Sequence, residues 1–254
     1  MKTVFIEEIT NHSFTLKCIP ISGPTQEIED VEISLTPEIP LSIGEDAFGN
    51  QQLYGKIADP HELFTVRIQG SVTVKGYPYM EPAGPSQWIY KYPTKYTEAG
   101  PRLKSLYGAV KAEIKQIKDP MEAARRVMNY VAANMQYQPA VTNIGTTAEQ
   151  ALTLQKGVCQ DYAHILIAIC RQAHIPARYV VGMMTGEGAS HAWVEIYVQG
   201  CWYGLDPTNQ KMVDDSYIKI SHGRDYQDCL VERGIFRGNP NQQKIVGVKV
   251  WQQE

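Results

Sequence analysis

The chain has 254 residues, which is enough for one large domain or two ordinary ones. Hydrophobic residues make up 43% and charged residues 20%, as in a globular protein with a substantial core. The net charge is −3 and no long run of one sign occurs, so neither a nucleic acid nor a membrane surface is expected as a partner.

The start of the chain and the cysteines predict the compartment. The first residues, MKTVFIEEITNH, lack the apolar stretch of a signal peptide, and no run of about 18 apolar residues predicts a membrane helix. The five cysteines are odd in number and widely spaced, and they form no C-x-x-C pair, so neither disulfides nor a zinc site are expected. We therefore expect a cytoplasmic protein that needs no metal or cofactor.

The first 95 residues are predicted to form an antiparallel β-sandwich. Short segments of alternating polarity, separated by Gly, Pro, Asn and Asp, are typical of such strands. They are TVFIEEIT, SFTLKCIPI, VEISLTPEI and LFTVRIQGSVTVKG. A connector rich in Pro, Gly and Tyr follows, so we place residues 1–95 in one domain and residues 96–254 in a second.

Helices and then strands are predicted in the second domain. RLKSLYGAVKAEIKQI has apolar residues at helical spacing, and the next helix begins with Asp119 as N-cap and Glu122 as its capping-box partner. Thr146 and Glu149 frame a further helix start in the same way. ARYVVGMM, HAWVEIYV and CWYGLDPT have the pattern of strands. Helices grouped before strands predict an α+β core rather than alternating βαβ units.

The stretch GVCQDYAHILIAIC places Cys159 at the start of a predicted buried helix. Unpaired backbone N–H groups and the helix dipole favour a thiolate there. Asp161 acts in the opposite direction, because its charge would raise the pKa of a nearby thiol, so the thiol needs a base. Cys170 is typical of a core cysteine. His164 lies about 140° further round the helix and is expected to be structural.

That base is predicted in HAWVEIYVQGCWYGLDPTN, which has the pattern of a hairpin with a two-residue turn at Gln199-Gly200. This register pairs Val198 with Cys201. Alternation then puts His191, Trp193, Gly204, Asp206 and Thr208 on one face. His191 and Asp206 become diagonal neighbours, close enough to hydrogen-bond, whereas a slip of one residue would separate them. A nucleophile, a base and an orienting carboxylate are therefore all available.

The chain resembles the transglutaminase-like superfamily, most closely a bacterial branch often proposed to be cysteine proteases. The resemblance lies in three motifs that occur in this order: GVCQDYAH, SHAWVEIYV and GLDPTN. TTAEQAL, GRDYQD and, in the N-terminal half, EDAFGN match that branch as well. The resemblance implies a papain-like α+β core. It also implies that Cys159 attacks a carbonyl, that His191 transfers the proton and that Asp206 holds the His191 tautomer.

The resemblance implies an enzyme that acts on a peptide or glutamine amide through a thioester acyl-enzyme. Hydrolysis is slightly favoured over transfer to an amine, as in a transglutaminase. The alternatives are a non-catalytic binding module, which would use the N-terminal sandwich to hold a partner, and a structural protein with a core cysteine.

Several further residues have two interpretations. Tyr137 in MQYQP is a candidate oxyanion donor beside the backbone N–H of Cys159, although a partly buried aromatic after a helix is the commoner case. Trp193 and Trp202 either line a substrate cleft or pack in the core, and core packing is favoured. Arg224 is predicted to pair with its neighbour in GRDY rather than to bind substrate.

Overall fold

The computed structural model describes residues 1–82 and 84–253. The first five strands form an antiparallel sheet in the order β2-β5-β1-β4-β3. Their bounds are β1 Lys2–Leu16, β2 Gln26–Thr36, β3 Ser42–Glu45, β4 Gln51–Ile57 and β5 His61–Val74. Alternate side chains of these strands, among them Phe5, Phe14, Leu53 and Phe64, meet in one hydrophobic core.

Strand β1 joins the two N-terminal segments that the sequence pattern separates. Asn11 takes a left-handed conformation with φ of 50°, and the register with a neighbouring strand shifts between Thr10 and Ser13. The strand therefore bends without ending. Its first half pairs with β5 and its second half with β4, so the sheet curls around a single core.

Helices and a second antiparallel sheet make up most of the remaining chain. The first part contains β6 Tyr79–Met80, α1 Pro85–Trp88, α2 Pro101–Ile114, α3 Pro120–Ala133, β7 Gln136–Tyr137, α4 Ala148–Leu154, β8 Lys156–Gly157 and α5 Cys159–Gln172. The strands that follow are β9 Ala177–Met184, β10 Gly186–Gly188, β11 His191–Val198, β12 Cys201–Asp206, β13 Lys211–Met212 and β14 Tyr217–Gly223. The second sheet has the order β13-β12-β11-β9-β14, which confirms the α+β class.

Two of the predicted helix starts differ in their outcome. Asp119 is the N-cap of α3, as predicted, and accepts the N–H of Met121 at 2.9 Å. The capping box predicted with Glu122 is not formed, because Glu122 pairs with Arg125 at 3.3 Å instead. In α4 the cap lies one residue later than predicted, because Thr147 rather than Thr146 accepts from the third helical residue. Glu149 is then free to accept the backbone N–H groups of Arg102 and Leu103, so one helix caps the start of another.

Helix α5 is the centre of the second core. It packs on β9 and β11 of the sheet and against α3 and α4. From Asp161 to Arg171 every one of its residues is buried. Within residues 1–82 and 84–253, no helix has both the length and the apolar character that spanning a membrane requires.

The last strands return to the N-terminal sheet. They are β15 Glu232–Arg237, β16 Gln242–Ile245 and β17 Val248–Val250. Both β15 and β16 pair with β1, whereas β17 pairs with β10, which lies just before His191. The segment before His191, rich in glycine, is therefore held by a strand partner. The domain division at residue 95 stays a prediction.

The EDAFGN motif forms a turn that joins the two sheets. Asp46 accepts the N–H groups of Phe48 and Asn50 and pairs with Lys17 at 2.6 Å. The Asn50 side chain then bonds both the N–H and the carbonyl of His222 in β14, at 2.8 and 2.7 Å. These contacts fix the N-terminal sheet against the second sheet.

Gly182 supplies a test of this packing. It lies opposite His191 in the sheet, and an added Cβ would overlap the Trp193 ring and the carbonyl oxygen of Ile218. We expect Gly182→Ala to lower the free energy of unfolding by about 1–3 kcal/mol, measured by urea denaturation. In the control, Gly188→Ala, the new Cβ meets no atom within 4 Å, and the expected change is within about 0.5 kcal/mol. Equal effects of the two changes would contradict this account.

Candidate functional site

The hairpin of β11 and β12 has the predicted register. Val198 pairs with Cys201 and Tyr197 with Trp202, and the pairing continues in step to Val194 and Leu205. Gln199 and Gly200 form the turn with φ of 50° and 85°, the positive values that a two-residue hairpin of this kind requires. This register puts His191 and Asp206 on the same face of the sheet.

Asp206 is fully buried, and both of its carboxylate oxygens are hydrogen-bonded. His191 Nε2, Asn209 Nδ2 and the Tyr217 hydroxyl each donate to Oδ2 at 2.7 Å. The N–H groups of Thr208 and Asn209 donate to Oδ1 at 2.9 and 3.1 Å. Burial alone would raise the pKa of Asp206, but these bonds hold it below its ordinary value. The group therefore stays a carboxylate.

His191 is hydrogen-bonded to this carboxylate through Nε2 at 2.7 Å. It lines the same cleft as Cys159, with which it interacts electrostatically. Burial alone would lower the pKa of His191. The hydrogen bond with Asp206, together with the interaction with Cys159, outweighs burial and raises the pKa to about 9. The site thus favours an imidazolium beside the thiol.

Cys159 is half-buried and is the first residue of α5, as predicted. Asp161, two residues later, is 1% exposed and accepts the N–H of Val158 at 2.8 Å and the hydroxyl of Thr142 at 2.7 Å. Burial raises the pKa of Asp161, which these two bonds only partly offset. Its carboxyl therefore caps the helix and fixes the backbone just before the thiol.

Cys159 and His191 open onto a cleft of about 290 Å³. The wall of the cleft next to these two residues includes Gln160, Tyr179 and Ser190. The facing wall comes from the C-terminal strands and includes Glu232 and Lys244. The nucleophile candidate is therefore accessible to a ligand. Within residues 1–82 and 84–253, no three His, Cys, Asp or Glu side chains are grouped so as to hold a metal ion.

Tyr137 is near the thiol, although it is exposed over 54% of its surface. Its strand, β7, pairs in parallel with β8, so that Tyr137 lies beside Gly157. Burial raises its pKa, and the charge of Cys159 adds to this effect. The phenol therefore stays protonated and is available as a hydrogen-bond donor.

The two tryptophans pack in the core, as favoured from the sequence. Trp193 is 1% exposed, and its ring is stacked with His191 at a centroid distance of 6.5 Å. Trp202 is fully buried beneath the Arg178 guanidinium, 3.8 Å above its ring centre. His164 is also buried and accepts the N–H of Tyr226 at 3.1 Å, a structural role. Trp193 thus packs alongside the His191 ring and restricts its orientation.

The predicted ion pair of Arg224 with Asp225 is wrong. Arg224 pairs with Asp228 at 2.9 Å, because the segment between them turns back as a short 3-10 helix. Asp225 caps that helix by accepting the N–H of Gln227 at 2.8 Å.

Sequence reasoning missed two partners of Asp206. The sequence does indicate the contact with Asn209, because an Asp followed by Pro, Thr and Asn commonly accepts the backbone N–H groups two and three residues further on. No local pattern indicates the contact with Tyr217, since it depends on the order in which β14 and the other strands are arranged in the sheet.

The fold and the arrangement of side chains together define a papain-like α+β protein. The sequence profile of the transglutaminase-like superfamily matches residues 108–207, and that of the bacterial transglutaminase-like N-terminal region matches residues 4–73. The chain belongs to the transglutaminase-like superfamily.

Similar proteins agree with this assignment. An uncharacterized protein of Mycobacterium leprae is 33% identical to this chain over 156 residues. The alignment covers 58% of this chain and 54% of that protein, which is about half of the relative's length. One of Mycobacterium tuberculosis is 28% identical over 82% of this chain and 76% of its own length. A solved structure from Cytophaga hutchinsonii, proposed to be a cysteine protease, has a TM-score of 0.78 at 21% identity and covers 100% of this chain and 90% of that one. That likeness shows the fold.

The raised pKa of His191 links this site to stability. On folding, the pKa of His191 rises from 6.5 to about 9. The contribution of this shift to the free energy of unfolding is fully present below pH 6.5 and is lost as the pH rises through about 9. We expect the difference in free energy of unfolding between the wild type and His191→Gln to be larger at about pH 6 than at about pH 9.5. Urea denaturation at both values measures it. A difference that does not change with pH would contradict the assigned pKa.

Proposed function

We propose that the protein is a cysteine-nucleophile enzyme that cleaves a peptide or glutamine amide through a thioester acyl-enzyme. One observation carries the proposal: His191 is hydrogen-bonded to the buried Asp206 carboxylate and, together with Cys159, lines an accessible cleft. A cysteine, a base and an orienting carboxylate in this order are the requirements for nucleophilic acyl transfer.

The proposed reaction has two halves. His191 holds the thiol proton while the Cys159 sulfur bonds to the carbonyl carbon and forms a tetrahedral intermediate. The intermediate collapses, the carbon–nitrogen bond breaks, and His191 donates the proton to the leaving amine. In the second half, His191 takes a proton from water and the oxygen attacks the thioester carbon. The carbon–sulfur bond then breaks, the acid is released, and His191 returns the proton to the Cys159 sulfur. Asp206 keeps the imidazole oriented throughout.

The negative oxygen of the tetrahedral intermediate needs hydrogen-bond donors. The backbone N–H of Cys159 is at the first position of α5, where no acceptor within the helix exists. The Tyr137 hydroxyl is the proposed side-chain donor, supported by its place beside Gly157 and its electrostatic interaction with Cys159. Together they would form the oxyanion hole.

Removal of the thiol tests the nucleophile. We expect Cys159→Ala to abolish both labelling by a thiol-directed acylating probe and cleavage of a peptide library, with an unchanged circular dichroism spectrum. Cys201→Ala is the matched control, because Cys201 is also half-buried but lies at the hairpin turn, and it should retain both activities. Mass spectrometry of products, with and without a primary amine, distinguishes hydrolysis (free acid) from transfer (amine adduct). Loss of labelling in the Cys201 variant alone would refute the assignment.

Tyr137→Phe tests the oxyanion donor. Since the phenyl ring is kept and only the donor is removed, kcat is expected to fall about 100-fold with little change in KM. Tyr92→Phe is the control, because Tyr92 is likewise exposed, over 68% of its surface, but lacks the pairing beside Gly157 that Tyr137 has. An unchanged kcat would leave the backbone N–H as the oxyanion donor and exclude Tyr137.

A further inference from the structure

The wall of the cleft that faces Cys159 is made by strands that belong to the N-terminal sheet. Val231 directly precedes β15, Glu232 is the first residue of β15, and Lys244 lies on β16, where it pairs with Thr3 of β1. A substrate held over the thiol therefore contacts side chains from both sheets. The charges on this wall are then available to select among substrates.

Lys244 and Glu232 form an ion pair on this wall, but the two groups differ in exposure. The Glu232 side chain is only 9% exposed, whereas that of Lys244 is 41% exposed. An ammonium has three N–H donors, and the pairing with Glu232 uses only part of this capacity. Lys244 therefore presents unused donors and positive charge toward the open cleft.

The charged groups that line the cleft favour a negative ligand. Among the described residues, Glu232 is the one carboxylate on its lining, and it is already paired and buried. The cationic side chain open to a ligand is Lys244, because the charge of His191 is already balanced by Asp206. A basic ligand would therefore meet a like charge at Lys244, and an acidic ligand an opposite one.

We propose that Lys244 is a specificity-determining residue that selects acyl donors carrying a carboxylate side chain next to the scissile amide. The inference rests on the proposed function for its reaction. The same charge disfavours a protonated amine as acceptor, so acidic peptides and water are the expected substrate pair.

The test uses three peptides that differ only in one residue flanking the scissile amide: Glu, Gln or Lys. Binding is measured by fluorescence anisotropy on the Cys159→Ala protein, and kcat/KM on the wild type. Because an ion pair at a partly exposed site contributes modestly, the Glu peptide is expected to be favoured over the Gln peptide about fivefold. The Lys peptide should be the weakest, and added salt should reduce the differences.

Variants at the pair give opposite expected results. Lys244→Met should abolish the preference for Glu, and Lys244→Glu should invert it in favour of the Lys peptide. Glu232→Gln should increase the preference, because it removes the competing charge and leaves Lys244 in place. Damage to the fold cannot produce an increase, so this variant distinguishes a charge effect from a structural one.

Lys249→Glu is the matched control. Lys249 pairs with Glu187 on the neighbouring β17–β10 ladder, and both side chains are exposed, at 66% and 71%. Its reversal should leave the order of the peptides unchanged. Equal binding of the three peptides, or equal effects of Lys244→Glu and Lys249→Glu, would overturn the proposal. If the wild type cleaves no peptide, the proposed function fails, while the binding order on Cys159→Ala still decides the role of Lys244.

Discussion

The hydrogen bond between His191 and the buried Asp206 is the interaction on which the site depends. Asp206 is fully buried, and its charge is balanced by five donors, of which His191 is the cationic one. A carboxylate buried without such partners would be costly, so the hairpin register, the following turn and the neighbouring strand must all be in place. The same bond raises the affinity of His191 for its proton and so prepares it to serve the thiol.

The thiol and the imidazole come from elements that have little in common in sequence. Cys159 is fixed by a helix whose start is capped by the buried Asp161, and His191 by a strand whose register is set at a turn that begins eight residues further on. Packing of α5 on β9 and β11 brings the two together. The N-terminal sheet then completes the cleft, because the last strands of the chain pair with β1 and face the thiol.

Local features of this structure were predictable, and distant pairings were not. β9 and β11 have the predicted bounds, and the hairpin register follows from the Gln199-Gly200 turn and strict alternation. Thr146 and Thr147 both suit an N-cap, so local chemistry alone left the start of α4 uncertain by one residue. The return of β15 and β16 to β1, and the approach of Tyr217 to Asp206, depend on long-range strand pairing, which periodicity does not encode.

The account is tested most directly by trapping the acyl-enzyme. The protein is mixed with an activated ester of a short peptide, quenched in acid within seconds, and examined by intact-mass and peptide-mapping mass spectrometry. The account predicts one acyl group, attached to Cys159, that forms more slowly in His191→Gln and is released as free acid when the quench is omitted. An unmodified Cys159, or an acyl group on any other cysteine, would contradict it.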